Sequence, residues 1–153
     1  MGASVPLGAP IPTRRYEEQT EYLRLHRLER SIDIATILRF HEQWFYVAVI
    51  SCGLVGVWGL VVAIAKRPPS RWFGYARAVA IGAMLVQIGL GVLLYSNDVR
   101  PGNSFHMFYG VVIAITLTLA YLYRSTMALR PALTYGILLL FVMGLGLRAW
   151  ANV

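Results

Sequence analysis

The sequence predicts an all-α integral membrane protein, a four-helix up-and-down bundle with an N-terminal amphipathic extension. Three observations predict it. Of 153 residues, 58% are hydrophobic and only 14% charged, whereas a soluble domain is about half apolar and a quarter charged. The apolar residues gather in four runs of spanning length. Charged or Pro/Gly-bearing connections separate those runs. The domain reading is residues 1–40 as arm and amphipathic helix, and 41–153 as the transmembrane domain.

The chain carries a net charge of +7 and a pI near 10.0. Basic loops in a membrane protein account for that balance, and no nucleic-acid partner is expected. Cys52 is alone and lies inside an apolar run, so neither a disulfide framework nor a thiolate metal cluster is available. No secretory leader is expected, because the first forty residues lack an uninterrupted apolar core. Gly2 begins no acylation motif, since Pro6 takes the Ser/Thr slot.

Residues 1–13 hold Pro6, Pro10 and Pro12 and predict an extended arm. From Arg14 to Arg39 six arginines meet five acids, with Leu25, Leu28, Ile32 and Ala35 at helical spacing. A helix over 16–38 is predicted, docked on the bilayer surface or on a partner.

The first span is Trp44 to Ala65, free of charge and long enough for about 30 Å of hydrocarbon at about 1.5 Å per residue. Trp44, Phe45 and Tyr46 make an interfacial aromatic belt, and Lys66-Arg67-Pro68-Pro69 ends the run. The second span runs from about Trp72 to Tyr95, and Ser96-Asn97-Asp98 with Pro101-Gly102-Asn103 turns the chain. The third is Phe105 to Tyr123. The short Arg124-to-Arg130 connection makes the third and fourth spans antiparallel neighbours, and Pro131 opens the fourth, which ends near Trp150. As membrane helices these become 42–66, 73–95, 105–123 and 131–150.

Small residues recur every fourth position, as Ala48-Cys52-Gly56, Gly74-Ala78-Gly82, Gly110-Ala114-Thr118 and Ala132-Gly136 with Gly144. They let helix backbones approach, within the bundle or against other transmembrane subunits. Lys66, Arg67, Arg71 and Arg77, with Arg124 and Arg130, put two connections inside. Both termini of this plasma-membrane protein are then outside, although the six arginines of the N-terminal segment pull the other way. Trp44, Trp58, Trp72 and Trp150 are expected mostly as boundary anchors.

Four alternating spans gather one polar face, made of His41, Glu42, Tyr95, Asp98, Arg100, His106, Tyr109 and Arg148, with Gln87 about two turns deeper. His106 is expected within reach of Tyr95, Asp98 or His41. His41 and His106 are interfacial histidines on one reading and ligands of a b-type haem on the other. A proton relay through His106, Tyr109 and Gln87 is a third use. Arg148 either pairs with Asp98 or reaches the headgroups. Too few ligands converge for a structural zinc site. No serine elbow, phosphate-binding glycine loop or Cys/His pair is present, and no catalytic residue is assigned.

His41-Glu42-Gln43-Trp44-Phe45, Gln87-Ile88-Gly89-Leu90-Gly91, Phe105-His106-Met107-Phe108-Tyr109-Gly110 and Met143-Gly144-Leu145-Gly146-Leu147-Arg148 stand in that order. Over residues 41–150 the chain resembles a family of small four-span actinobacterial membrane proteins. Gln87-Ile88-Gly89-Leu90 and the residues around it are also similar to a piece of haem A synthase and other b-type membrane cytochromes. Those families place paired histidines within their helices, a pattern this chain lacks. The first resemblance implies an accessory subunit of the actinobacterial cytochrome bcc–oxidase supercomplex, non-catalytic and without a cofactor of its own. The alternative is a small haem b or quinone-interacting redox protein using His41 and His106.

Overall fold

The computed structural model describes residues 13–153, with side chains from Tyr16 onward. Nearly all of the expected arm over 1–13 lies outside the described residues. The described chain is all-helical, in the order α1 (Thr13–Ile64), α2 (Arg71–Ser96), α3 (Ser104–Leu122), α4 (Arg124–Met127) and α5 (Pro131–Trp150). Among the described residues four helices, α1, α2, α3 and α5, are long and apolar enough to cross a membrane.

The helix ends follow from local chemistry. Lys66 and Asp98 adopt left-handed backbone, with φ of 50° and 62°. Each closes a Schellman cap. Lys66 N–H donates to the Ala63 carbonyl and Arg67 N–H to the Val62 carbonyl, both at 3.1 Å. Asp98 N–H donates to Tyr95 and Val99 N–H to Leu94, again at 3.1 Å. These bonds satisfy carbonyls a helix end would leave bare. Ser70 caps α2 by accepting the Phe73 N–H, and Asn103 caps α3 by accepting the Phe105 N–H at 3.0 Å. Pro131 sits in the first turn of α5, where its missing N–H costs nothing.

One correction concerns α1. A helix start near residue 41 was expected, yet helical backbone runs through 38–42. Leu38-Arg39-Phe40-His41-Glu42 holds neither Gly nor Pro, so nothing there breaks the hydrogen-bond ladder. A second is α4, a short helix inside the Arg124-to-Arg130 connection.

The chain divides into two compact units, residues 1–36 and 37–153. In the first, Tyr22, Leu23, Leu25, Leu28 and Ile32 are all more than half exposed. Tyr22 lies against His26, whose ring nitrogen is 3.6 Å from Glu29.

In the second unit each long helix contributes one stripe to the core. Ala48, Cys52 and Val55 come from α1, Phe73, Ala80 and Met84 from α2, Ile113 and Leu117 from α3, and Tyr135, Leu139 and Val142 from α5. The 3.6-residue period makes each set one face. The other faces stay apolar and exposed, as at Leu54, Val61, Val79, Val111 and Phe141. Hydroxyls on these helices bond their own backbone, as Thr116 does to Val112 and Thr118 to Ala114.

Small residues set the closest approaches. A Cβ on Gly59 would stand 2.7 Å from the Ala132 carbonyl oxygen, and one on Gly136 would stand 3.0 Å from the Leu60 nitrogen. The Cys52 thiol points at the Ala80 carbonyl, 3.7 Å away. In contrast, Cβ atoms built on Gly74, Gly82, Gly110 and Gly144 meet nothing within 4 Å. The α1 stripe and Ala132-Gly136 of α5 are thus used inside the chain, whereas the glycines of the α2 and α3 stripes, and Gly144 of α5, face open space.

Candidate functional site

The polar residues expected on one face fall into three groups. The group that joins several helices is His41, Gln87 and His106. Asn103 caps α3 and so places His106 in its first turn, where the His106 N–H also donates to the Asn103 carbonyl at 3.2 Å. The His106 side chain reaches across to the last turn of α5. Its Nδ1 lies 3.1 Å from the Ala149 carbonyl oxygen. A carbonyl only accepts, so Nδ1 carries the proton and the Nε2 lone pair is left for another use.

The His41 ring on α1 stands 6.3 Å from the His106 ring, centre to centre, with an angle of 68° between the planes. On α2, Gln87 is one of the few buried polar side chains, 9% exposed. Its amide donates from Nε2 to His41 Nε2 at 3.3 Å. Among the described residues, His41 Nδ1 and Gln87 Oε1 are buried with no hydrogen-bond partner. Orphaned polar atoms of this kind cost about 1–3 kcal/mol each.

Asp98, Arg100 and Tyr95 form a second, exposed group. Arg100 donates to the Tyr95 hydroxyl at 3.1 Å, covers the Tyr95 ring at 4.7 Å, and lies 3.7 Å from Asp98. The ion pair is solvent-screened and carries little energy. The third group is Arg148 with Tyr109, whose hydroxyl accepts from Arg148 Nε at 3.4 Å. Arg148 is therefore directed at Tyr109, and Asp98 is occupied with Arg100. Glu42 is exposed. Seven of the eight residues expected on one face thus fall into three groups, His41 and His106 with Gln87, Tyr95 with Asp98 and Arg100, and Tyr109 with Arg148.

Three contacts escaped the sequence reading. Trp44 is a structural donor as well as a boundary residue, since its Nε1–H bonds the Ala83 carbonyl at 2.9 Å. Trp58 packs edge-on against Phe73 at 5.6 Å. Arg77 lies 4.0 Å over the ring of Tyr135, a buried residue of α5. An Arg at the start of one apolar helix and a Tyr at the start of an adjacent one were the available signal.

Chemically, the trio offers two imidazoles, one held by a carbonyl and the other by an amide. Among the described residues no set of three or more His, Cys, Asp or Glu side chains gathers for a metal. One shallow hollow lies beside Ser104, Phe105 and Phe108, and another, in the first unit, beside Glu17, Glu21 and Leu25. Comparison with protein-family models, with curated proteins and with solved structures gives no match to this chain.

Proposed function

We propose that this chain is a multi-pass plasma-membrane protein, an up-and-down four-helix bundle, and a non-catalytic accessory subunit of a larger membrane complex. The observation that carries the reading is the pair of fates met by its small-residue stripes. Ala48-Cys52-Gly56 and Ala132-Gly136 are consumed by the chain's own packing, with Cβ-to-atom approaches near 3 Å. Gly74-Ala78-Gly82 on α2 is open, with nothing within 4 Å of a Cβ on either glycine. Helix association in lipid relies on close approach at small residues, and an unfilled stripe suits another transmembrane helix.

Two further features support it. The exposed faces of α3, of α5 and of the spans 44–65 in α1 and 78–95 in α2 are largely apolar, as lipid contact requires, and hydroxyls such as those of Thr116 and Thr118 are satisfied internally. The exposed Leu25, Leu28 and Ile32 stripe supplies a second surface for a partner or the bilayer. The resemblance over residues 41–150 directs the choice of host complex to the actinobacterial cytochrome bcc–oxidase assembly. Lys66, Arg67, Arg71 and Arg77 in the 66–77 connection and Arg124 and Arg130 in the 124–130 connection support a cytoplasmic side for both connections and termini outside.

The test is co-purification. The tagged chain, extracted in mild detergent, carries the subunits of its host complex, identified by mass spectrometry. Gly82→Leu fills the open stripe without touching the chain's own core and loses those subunits at unchanged insertion. A chain that elutes alone, or a Gly82→Leu variant that retains every partner, overturns the reading.

A further inference from the structure

We propose that the helix ends formed by 66–77 and 124–135 bind an anionic phospholipid headgroup, with the Arg77 guanidinium on its phosphate. The site rests on the membrane-spanning reading and needs no partner subunit.

Three long helices converge there. A Cβ on Gly59 of α1 would stand 2.7 Å from the Ala132 carbonyl oxygen of α5 and 3.1 Å from Phe73 Cζ of α2. About one turn further along α2 and α5, Arg77 lies 4.0 Å over the Tyr135 ring. The two helices therefore run side by side from the same end. The Thr134 hydroxyl lies 3.0 Å from both the Met127 and the Arg130 carbonyl oxygens, which folds the 124–130 connection onto the first turn of α5.

The charge at this end is of one sign. Lys66, Arg67, Arg71, Arg77, Arg124 and Arg130 all belong to it. Past Glu42 the chain has a single acidic side chain, Asp98, which follows the far end of α2 and lies 3.7 Å from Arg100. Among the described residues none of the six cations makes an ion pair. A headgroup with its own cation beside the phosphate would meet only like charge here. A net anionic headgroup would meet none.

Arg77 is set apart from the other five. They are exposed, whereas Arg77 is half-buried. It stands six residues past Arg71, about 9 Å deeper at about 1.5 Å per residue. Helix side chains lean toward the N-terminus, so its guanidinium is directed back to headgroup depth. The contact with Tyr135 is a ring contact and not a hydrogen bond. Among the described residues no acceptor bonds the Arg77 N–H groups. Those donors form a fixed fork that fits two phosphate oxygens. Basic pockets between membrane helices on the cytoplasmic side suit anionic headgroups in this way.

The full-length chain, purified in mild nonionic detergent and stripped of lipid, is melted by circular dichroism with phosphatidylglycerol, phosphatidylcholine or inorganic phosphate. Phosphatidylglycerol raises Tm saturably, and the other two do not at the same concentration. Arg77→Ala and Arg77→Lys each weaken the apparent affinity roughly tenfold or more, since Lys keeps the charge and loses the fork. Arg71→Ala and Arg130→Ala each cost roughly fivefold, the worth of one surface cation. Arg100→Ala, beyond the far end of α2, leaves the affinity unchanged. Should Arg77→Ala lose its helical spectrum, Arg77→Lys and Arg130→Ala decide. An equal shift with phosphatidylcholine, or the same shift with inorganic phosphate, overturns the proposal. So does full affinity in Arg77→Lys, or a loss in Arg100→Ala as large as in Arg130→Ala. These outcomes leave co-purification of partner subunits untouched. A chain that stays dispersed without detergent overturns the membrane reading and the lipid site together.

Discussion

The Cα of Gly136 lies 3.0 Å from the point a Cβ on Gly59 would occupy. α1 and α5 therefore meet backbone to backbone, with the Ala132 carbonyl oxygen 2.7 Å from the same point. No side chain can be added there without moving a helix. Gly59→Ala should destabilise the folded chain by about 1–3 kcal/mol, the cost of overpacking a tight core. Gly82→Ala, in open space, should be neutral or stabilising by up to about 1 kcal/mol, the helix-propensity difference. Denaturant titration in detergent micelles measures both; equal effects would refute the α1–α5 crossing.

Cys52 is fully buried against α2. Maleimide labelling of the folded chain should be negligible and should become complete after unfolding. Rapid labelling in mild detergent would show that α1 and α2 do not pack through this residue.

Trp44 donates to the Ala83 carbonyl across the α1–α2 contact. Trp44→Phe keeps the aromatic bulk and removes the donor. The expected loss is about 0.5–1.5 kcal/mol, the net worth of one hydrogen bond. A double-mutant cycle with Cys52→Ala should show coupling, because both contacts set the same helix separation.

Residues 1–36 form their own compact unit, with Leu25, Leu28 and Ile32 exposed. Deleting them should leave the four spans inserted and helical while reducing recovery of partner subunits. Undiminished recovery would assign that apolar stripe to some other task.

Single cysteines at Asn97 and at Thr126, in a Cys52→Ala background, should label from opposite sides of intact cells with an impermeant maleimide. Asn97 is the expected outside position, because its connection carries one arginine beside one aspartate while the 124–130 connection carries two arginines. Reaction of both from the same side would contradict the alternating arrangement.

The chain's linear order alone determined that four helices are long and apolar, and where they stop. Lys66-Arg67-Pro68-Pro69, Asn97-Asp98, Asn103 and Pro131 are local instructions, each acting on backbone groups within a turn of itself. No comparable local signal ends α1's helical backbone near residue 40, so the expected helix start at 41 did not occur. What only the tertiary structure decided is which face of each helix turns inward. In a helix that is apolar all round, hydrophobicity cannot distinguish the face that meets another helix from the face that meets lipid. The four small-residue stripes looked alike in sequence, and packing alone separated Gly56 of α1 and Gly136 of α5 from the open glycines of α2 and α3. The same uncertainty of rotation hid the trio. From sequence Gln87 stands about two turns deeper than the polar face, and His106 is within reach of Tyr95, Asp98 or His41. The rotation and stagger of α2 against α1 brought the amide to His41, and the turn after α2 carried Asp98 to Arg100 instead.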